Sequence, residues 1–207
     1  MILDIFPTRI YQSTYPKAAE LKDTLFPKIT EILDAAAINN NTFMQNGTVC
    51  SYNTGSDLHN QFPIETAEIV EFVNAAAREY WKVCNYHNEL EPFVYQMWAN
   101  ATPKGGWVEN HLHGNMPFTA VLYVDASPEQ GNLVLENPLD SLLMTQPIGA
   151  DVQYPMRYEV PVKTGDLVMF PGYLKHSVKQ NITDRTRLIV AFNIGCRGNY
   201  WSAQWTR

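Results

Sequence analysis

Apolar positions along this chain change their period once, near residue 90. Between Ala18 and Ala37 they fall at Leu21, Leu25, Ile29, Ile32 and Leu33, the spacing of one face of an α-helix. Pro27 lies inside that pattern and predicts two helices or a kink, with Pro27 in a first turn where its missing N–H does little harm. Glu65 to Asn85 is the clearest helix. Ile69, Val73, Ala76, Tyr80 and Val83 form its apolar stripe, and Glu65, Glu68, Glu71, Arg78, Glu79 and Lys82 fall largely elsewhere, so it should lie on the outside of a sheet. From Glu91 onward short runs rich in aromatic and β-branched residues alternate with Pro, Gly, Asn and Asp. That is the pattern of an antiparallel sandwich or barrel braced by the preceding helices.

The remaining stretches read as connections. Ile2 to Tyr11 is apolar, and Pro7 limits it to an edge strand or extended arm. Asn39 to Asn41 ends the first helical region. Residues 42–63 carry Asn-Gly and Thr-Gly turn signals and predict a long loop with one short strand at most, with His59 as a solvated loop histidine.

Composition narrows the class without naming a function. A chain of 207 residues with 45% hydrophobic and 17% charged residues fits one globular domain with a sizeable core. A net charge of -6 and the lack of any Lys/Arg run argue against a nucleic-acid partner. Cys50, Cys84 and Cys196 have neither metal-ligand spacing nor an even count, and read as buried thiols of a reducing compartment. With no long apolar stretch and no signal-like start, the expected location is cytoplasmic, away from membranes.

Candidate chemistry sits in two stretches, Trp107 to Val124 and Gly165 to Asn193. His111 and His113 are one residue apart, so in extended chain both imidazoles leave the same face. His176 follows at a distance that lets a barrel return beside the first strand. A non-haem iron site often reads His-x-Asp/Glu with a distant His; here histidine takes the carboxylate's place. The HxH also fits two loop histidines beside Gly114. Arg187 opens the apolar run Leu188 to Phe192, and alternation puts Arg187, Ile189, Ala191 and Asn193 on one face. An inward guanidinium calls for an anion, and its fork matches a carboxylate. Arg185 is the solvated member of that Asp-Arg-Thr-Arg run.

With these residues in place the chain resembles the 2-oxoglutarate- and Fe(II)-dependent oxygenase superfamily, and within it a family of marine bacteria and of viruses of cyanobacteria. The segments that carry the resemblance are IFPTRIY, TGSDLHNQFP, MWAN, HLHGN, TAVLYV, GDLVMFPGYLKHSV and RLIVAFN, in order along nearly the whole chain. The resemblance implies a double-stranded β-helix, or jelly-roll, in a single domain 1–207, with 1–90 as helical and loop support and 91–207 as the barrel. It implies Fe(II) on His111 and His176, and Arg187 on the distal carboxylate of 2-oxoglutarate. Oxidative decarboxylation of that cosubstrate would be coupled to hydroxylation of an unidentified substrate by O2. The family commonly shows His-x-His-Pro, with Gly114 here in place of the Pro. His113 is then a third ligand, or else a group beside the metal or the substrate.

Supporting roles follow from alternation. Thr119, Val121 and Tyr123 share a strand face and Asn100 ends the preceding strand, so Tyr123 and Asn100 are candidates to fix the cosubstrate or to pack structurally. Trp98 and Trp107 read as wall or core. Asp125, Glu129 and Glu136 read as solvated, with Glu136 the spare carboxylate to examine first. The connection Pro138 to Pro155 and residues 42–63 are the candidate substrate loops. Two other readings use the same residues: a non-catalytic jelly-roll binding protein, and a three-histidine cupin enzyme that takes no 2-oxoglutarate.

Overall fold

Alternation in the second half of the chain is resolved by covering both faces of one sheet. The structure, a computed structural model, describes residues 7–36, 44–52, 57–139 and 155–198. The start of the chain, the Asn39–Asn41 run and most of the Pro138–Pro155 connection lie outside the described residues. Strands β1 (Tyr11–Thr14), β2 (Met44–Gln45), β3 (Val49–Cys50), β4 (Leu90–Thr102), β5 (Trp107–His111) and β6 (Phe118–Asp125) come first. They are followed by β7 (Leu133–Glu136), β8 (Arg157–Val160), β9 (Asp166–Pro171), β10 (His176–Val178) and β11 (Arg187–Gly198). They form a six-stranded sheet in the order β1-β9-β6-β11-β4-β3 and a five-stranded sheet in the order β2-β5-β10-β7-β8. All named strand pairs are antiparallel. This is the expected jelly-roll arrangement of mainly β structure with bracing helices.

Helices α1 (Leu21–Ala36), α2 (Leu58–Gln61) and α3 (Pro63–Val83) cover the outer face of the larger sheet. Leu188, Val190, Phe192 and Ile194 of β11, with Phe118, Ala120, Leu122 and Val124 of β6, point toward them and share one buried cluster with Leu25, Ile29, Ile69, Val73 and Tyr80. Phe118 stacks on Tyr80 at a centroid distance of 4.4 Å. The opposite residues, Ile189, Ala191, Tyr123 and Trp98, join Leu133, Leu135 and Val160 of the smaller sheet in a second cluster between the sheets. Central strands buried on both faces must be apolar at nearly every position, which is why RLIVAFN shows no polar alternation.

Three expectations shift. α1 is one helix with Pro27 in its interior. Pro27 and Asp23, whose carbonyl lacks its donor, are both exposed, so water can take the free acceptor. Residues 44–61, expected as loop, hold two two-residue strands and the short α2. These are too short to show a period, and pairing with β5 and β4 makes them strands. Val83 ends α3 exposed at 54%, past the edge of the sheet that buries the rest of its stripe.

Candidate functional site

Strand register brings the histidines together. β5 and β10 pair so that His111 and His176 are direct cross-strand partners, and their rings lie 4.2 Å apart. The chain leaves β5 at His111. A backbone hydrogen bond from His113 N to Gly172 O, 2.9 Å, then folds His113 back over the pair. Its ring is 5.3 Å from that of His111 and 5.2 Å from that of His176. One nitrogen from each of the three lies within 4.8 Å of the others. The distant histidine is therefore adjacent in space, as the barrel return implied.

Each ring has one nitrogen engaged on the side away from this cluster. His111 Nδ1 lies 2.8 Å from Glu109 O, His176 Nδ1 3.0 Å from Leu174 O, and His113 Nδ1 2.6 Å from Asn193 Oδ1. A carbonyl or amide oxygen can only accept, so each Nδ1 carries the proton and donates it. The lone pair is left on each Nε2, the arrangement a metal-binding imidazole needs. Burial holds all three below the usual histidine range. His113 is pushed down to about 4, with its Asn193 bond opposing the shift, and His176 lies well below, the charge of His111 adding to burial. His111 is lowered by burial against the pull of the Glu109 carbonyl. Three neutral donors converging, His176 buried and His111 and His113 half-buried, form a site that can hold a transition metal. No carboxylate belongs to this cluster among the described residues. Glu136 instead pairs with Arg157 at 3.0 Å.

The cavity beside the histidines, about 300 Å3, is lined by residues from both sheets. Its wall on the larger sheet follows the β11 alternation row by row. Arg187 pairs in register with Thr102, Ile189 with Asn100 and Tyr123, Ala191 with Trp98 and Val121, and Asn193 with Gln96 and Thr119. Along β11, Arg187 and Asn193 mark the two ends of this row. His113 is hydrogen-bonded at the Asn193 end.

Arg187 occupies the other end and is 2% exposed. Its Nη1 donates to Gln130 O at 3.1 Å and Gly131 O at 2.6 Å, and its Nη2 to Thr102 Oγ1 at 3.0 Å. Its Nε has no partner, and neither does Oδ1 of buried Asn100. Burial disfavours its charge, with the nearby Tyr123 opposing, and its own hydrogen bonds go to neutral groups. A buried cation held by neutral oxygens, with polar atoms to spare, is suited to receive an anion. Burial also raises the Tyr123 hydroxyl pKa and keeps it neutral, so it can donate.

Other expectations divide. Trp98 is wall, stacked on His113 with centroids 5.8 Å apart and 22° between planes. Cys50 is buried and lines the same cavity. Trp107 lies in a separate outer groove of the smaller sheet. Asp125 is not solvated: it is 9% exposed and bridges Arg185 and Lys22, because the end of β6 turns inward under both cations. Arg185 is thus paired, although its side chain remains exposed. His59 is half-buried on α2 with no partner for Nδ1. Gln96 and Asn193 carry no motif that marks them for chemistry, although alternation puts Asn193 on the Arg187 face. The signal available was that shared alternation.

Comparison with known proteins adds a family match and a shared fold. Residues 96–193 match the family described as "Putative 2OG-Fe(II) oxygenase". That segment holds all six of His111, His113, His176, Arg187, Tyr123 and Asn100. No curated protein sequence matches the chain. Among solved structures, HygX from Streptomyces hygroscopicus, with nickel and 2-oxoglutarate bound, is similar at 16% identity and TM-score 0.60, covering 91% of this chain and 83% of its own. A Pseudomonas putida prolyl-4-hydroxylase is similar at 15% identity and TM-score 0.59, covering 92% and 94%. SnoN, an α-ketoglutarate-dependent epimerase from nogalamycin biosynthesis, is similar at 15% identity and TM-score 0.56, covering 91% and 76%. Identities this low speak to the shared fold.

Proposed function

We infer that this chain, which carries the 2OG-Fe(II) oxygenase pattern on the fold of that superfamily, is an Fe(II)- and 2-oxoglutarate-dependent dioxygenase. His111, His113 and His176 would hold the iron through Nε2, leaving its other positions open. Arg187 would take the distal carboxylate of 2-oxoglutarate, with Tyr123 and Asn100 beside it. The observation that carries this reading is the cavity itself. One end presents three neutral imidazole donors, and the other presents a buried guanidinium that no carboxylate among the described residues satisfies.

Held by these residues, iron and 2-oxoglutarate would supply O2-dependent oxidation of a substrate C–H bond, coupled to conversion of 2-oxoglutarate to succinate and CO2. The protein's part is positional. Thr102, Gln130 and Gly131 fix the guanidinium, the carbonyls of Glu109 and Leu174 orient two imidazoles, and the apolar wall of Val108, Val121, Leu133, Val178 and Ile189 keeps water from the space between. We propose hydroxylation as the outcome and the cytoplasm as the location. The three cysteines are free, as expected where thiols stay reduced. No helix among the described residues is long and apolar enough to cross a membrane.

Calorimetric titration of the Mn(II) form with 2-oxoglutarate tests the reading, followed by assay of the Fe(II) form for succinate under air. Saturable binding at one site and slow uncoupled succinate formation are expected. A Mn(II) form that takes up no 2-oxoglutarate would overturn the reading in favour of a three-histidine metalloenzyme. A chain that binds neither would be a non-catalytic barrel.

A further inference from the structure

We infer that Asn193, itself held by Gln96, is the positioning residue that makes His113 a metal ligand; the inference rests on the iron site proposed above. His111 and His176 are oriented locally, each through a backbone carbonyl two residues earlier, at Glu109 and Leu174. Both sit on paired strands, so their Nε2 direction is set by the sheet. His113 lies beyond the end of β5 and has no carbonyl of this kind. Its Nδ1 is held instead by the side chain of Asn193, 80 positions along the chain on the opposite sheet.

An amide can present either its oxygen or its nitrogen, and only the oxygen accepts the Nδ1 proton and turns the Nε2 lone pair toward the other two imidazoles. The next contact decides which. Asn193 Nδ2 donates to Gln96 Oε1 at 2.7 Å, and Gln96 Nε2 points in turn at the Tyr52 hydroxyl, 3.5 Å away. Donation through the two amides therefore runs in one direction, from His113 to Tyr52. Asn193 is 4% exposed, so reversing its amide against Gln96 as it stands would set nitrogen against the donating Nδ1 and oxygen against Gln96 Oε1, a mismatch in a buried place. Trp98, in the adjoining row of the same wall, stacks on the face of the His113 ring and removes its remaining freedom. The donation of His113 thus depends on side chains from across the cavity.

Co(II) serves as the probe, read by calorimetric affinity and by its ligand-field absorption. Asn193→Leu should weaken Co(II) binding by about 10–100-fold, the usual scale for groups that orient a metal ligand, and should shift the absorption bands. Asn193→Asp, which keeps an acceptor for Nδ1, should restore both. In a His113→Ala background Asn193→Leu should have no further effect, because the two act as a unit. Gln96→Leu combined with Asn193→Leu should be no weaker than Asn193→Leu alone. Wild-type affinity and spectrum in Asn193→Leu, or an undiminished loss in the His113→Ala background, would overturn the assignment. Failure of the underlying site would show elsewhere, as unchanged Co(II) binding in both His111→Ala and His176→Ala.

Discussion

Arg187 and the three histidines set what can be predicted at the scale of single residues. Arg187 has its nitrogens on neutral oxygens and one N–H unpartnered in a buried place. Removing one partner of such a charged, buried pair typically costs about 2–5 kcal/mol. Arg187→Ala should therefore weaken 2-oxoglutarate binding to the Mn(II) form by roughly 30-fold or more and leave Mn(II) binding nearly unchanged, both read by calorimetry. The histidines predict a pH dependence of the metal-free protein. Their pKa values are lowered by burial, that of His113 to about 4, while in the unfolded chain they titrate near about 6.5. Between those values the unfolded state binds more protons, so stability falls as pH drops and is restored as pH rises. The urea midpoint should be flat above about pH 7 and fall from about 6.5 toward 4, with a shallower fall in His113→Gln. A midpoint independent of pH over that window would contradict the buried neutral cluster.

At the scale of elements, the loop after β5 depends on a tight backbone crossing. Gly172 N donates to Pro117 O at 3.1 Å and Gly172 O accepts from His113 N at 2.9 Å. A methyl group at Gly172 would press on the Met116 carbonyl and lie 2.9 Å from the His113 carbonyl oxygen. Both obstacles are backbone and cannot swing away. Gly172→Ala should move the His113 loop and lower metal affinity by about 10-fold or more, while leaving Arg187 in place. Gly131 has the same standing at the other end. Its φ of +95° and its closeness to Lys179 O leave no room for a side chain where its carbonyl accepts from Arg187. The two strands that bear His111 and His176 need no such device, because their register is the β5–β10 pairing itself.

For the whole molecule, the cavity lies between the two sheets and takes lining residues from both, so whatever fills it ties them together. A ligand at 100 times its Kd stabilises by about 2.7 kcal/mol. For a domain of this size that raises Tm by roughly 5–10 °C. Mn(II) alone, and Mn(II) with 2-oxoglutarate, should each raise Tm in differential scanning calorimetry, with the second increment lost in Arg187→Ala. A second increment that survives in Arg187→Ala would place the cosubstrate elsewhere.

Period and residue type told a large part of this structure in advance. The helical stripe of Ile69, Val73, Ala76 and Tyr80, the strands after residue 90 and the shared face of Arg187, Ile189, Ala191 and Asn193 are local consequences of side-chain direction, and sequence carries local direction. The spacing of the HxH and its distant partner likewise announced two strands offering imidazoles to one place. Packing between distant segments decided the rest. Met44–Gln45 and Val49–Cys50 are strands only because β5 and β4 pair with them. Asp125 is buried only because Lys22 and Arg185 meet over it. The turning of His113 toward the other two histidines is fixed by Asn193 and Gln96, which no spacing along the chain connects to it. An orientation set by a hydrogen bond across a cavity exists only once both sheets are in place, and the sequence alone holds no local trace of it.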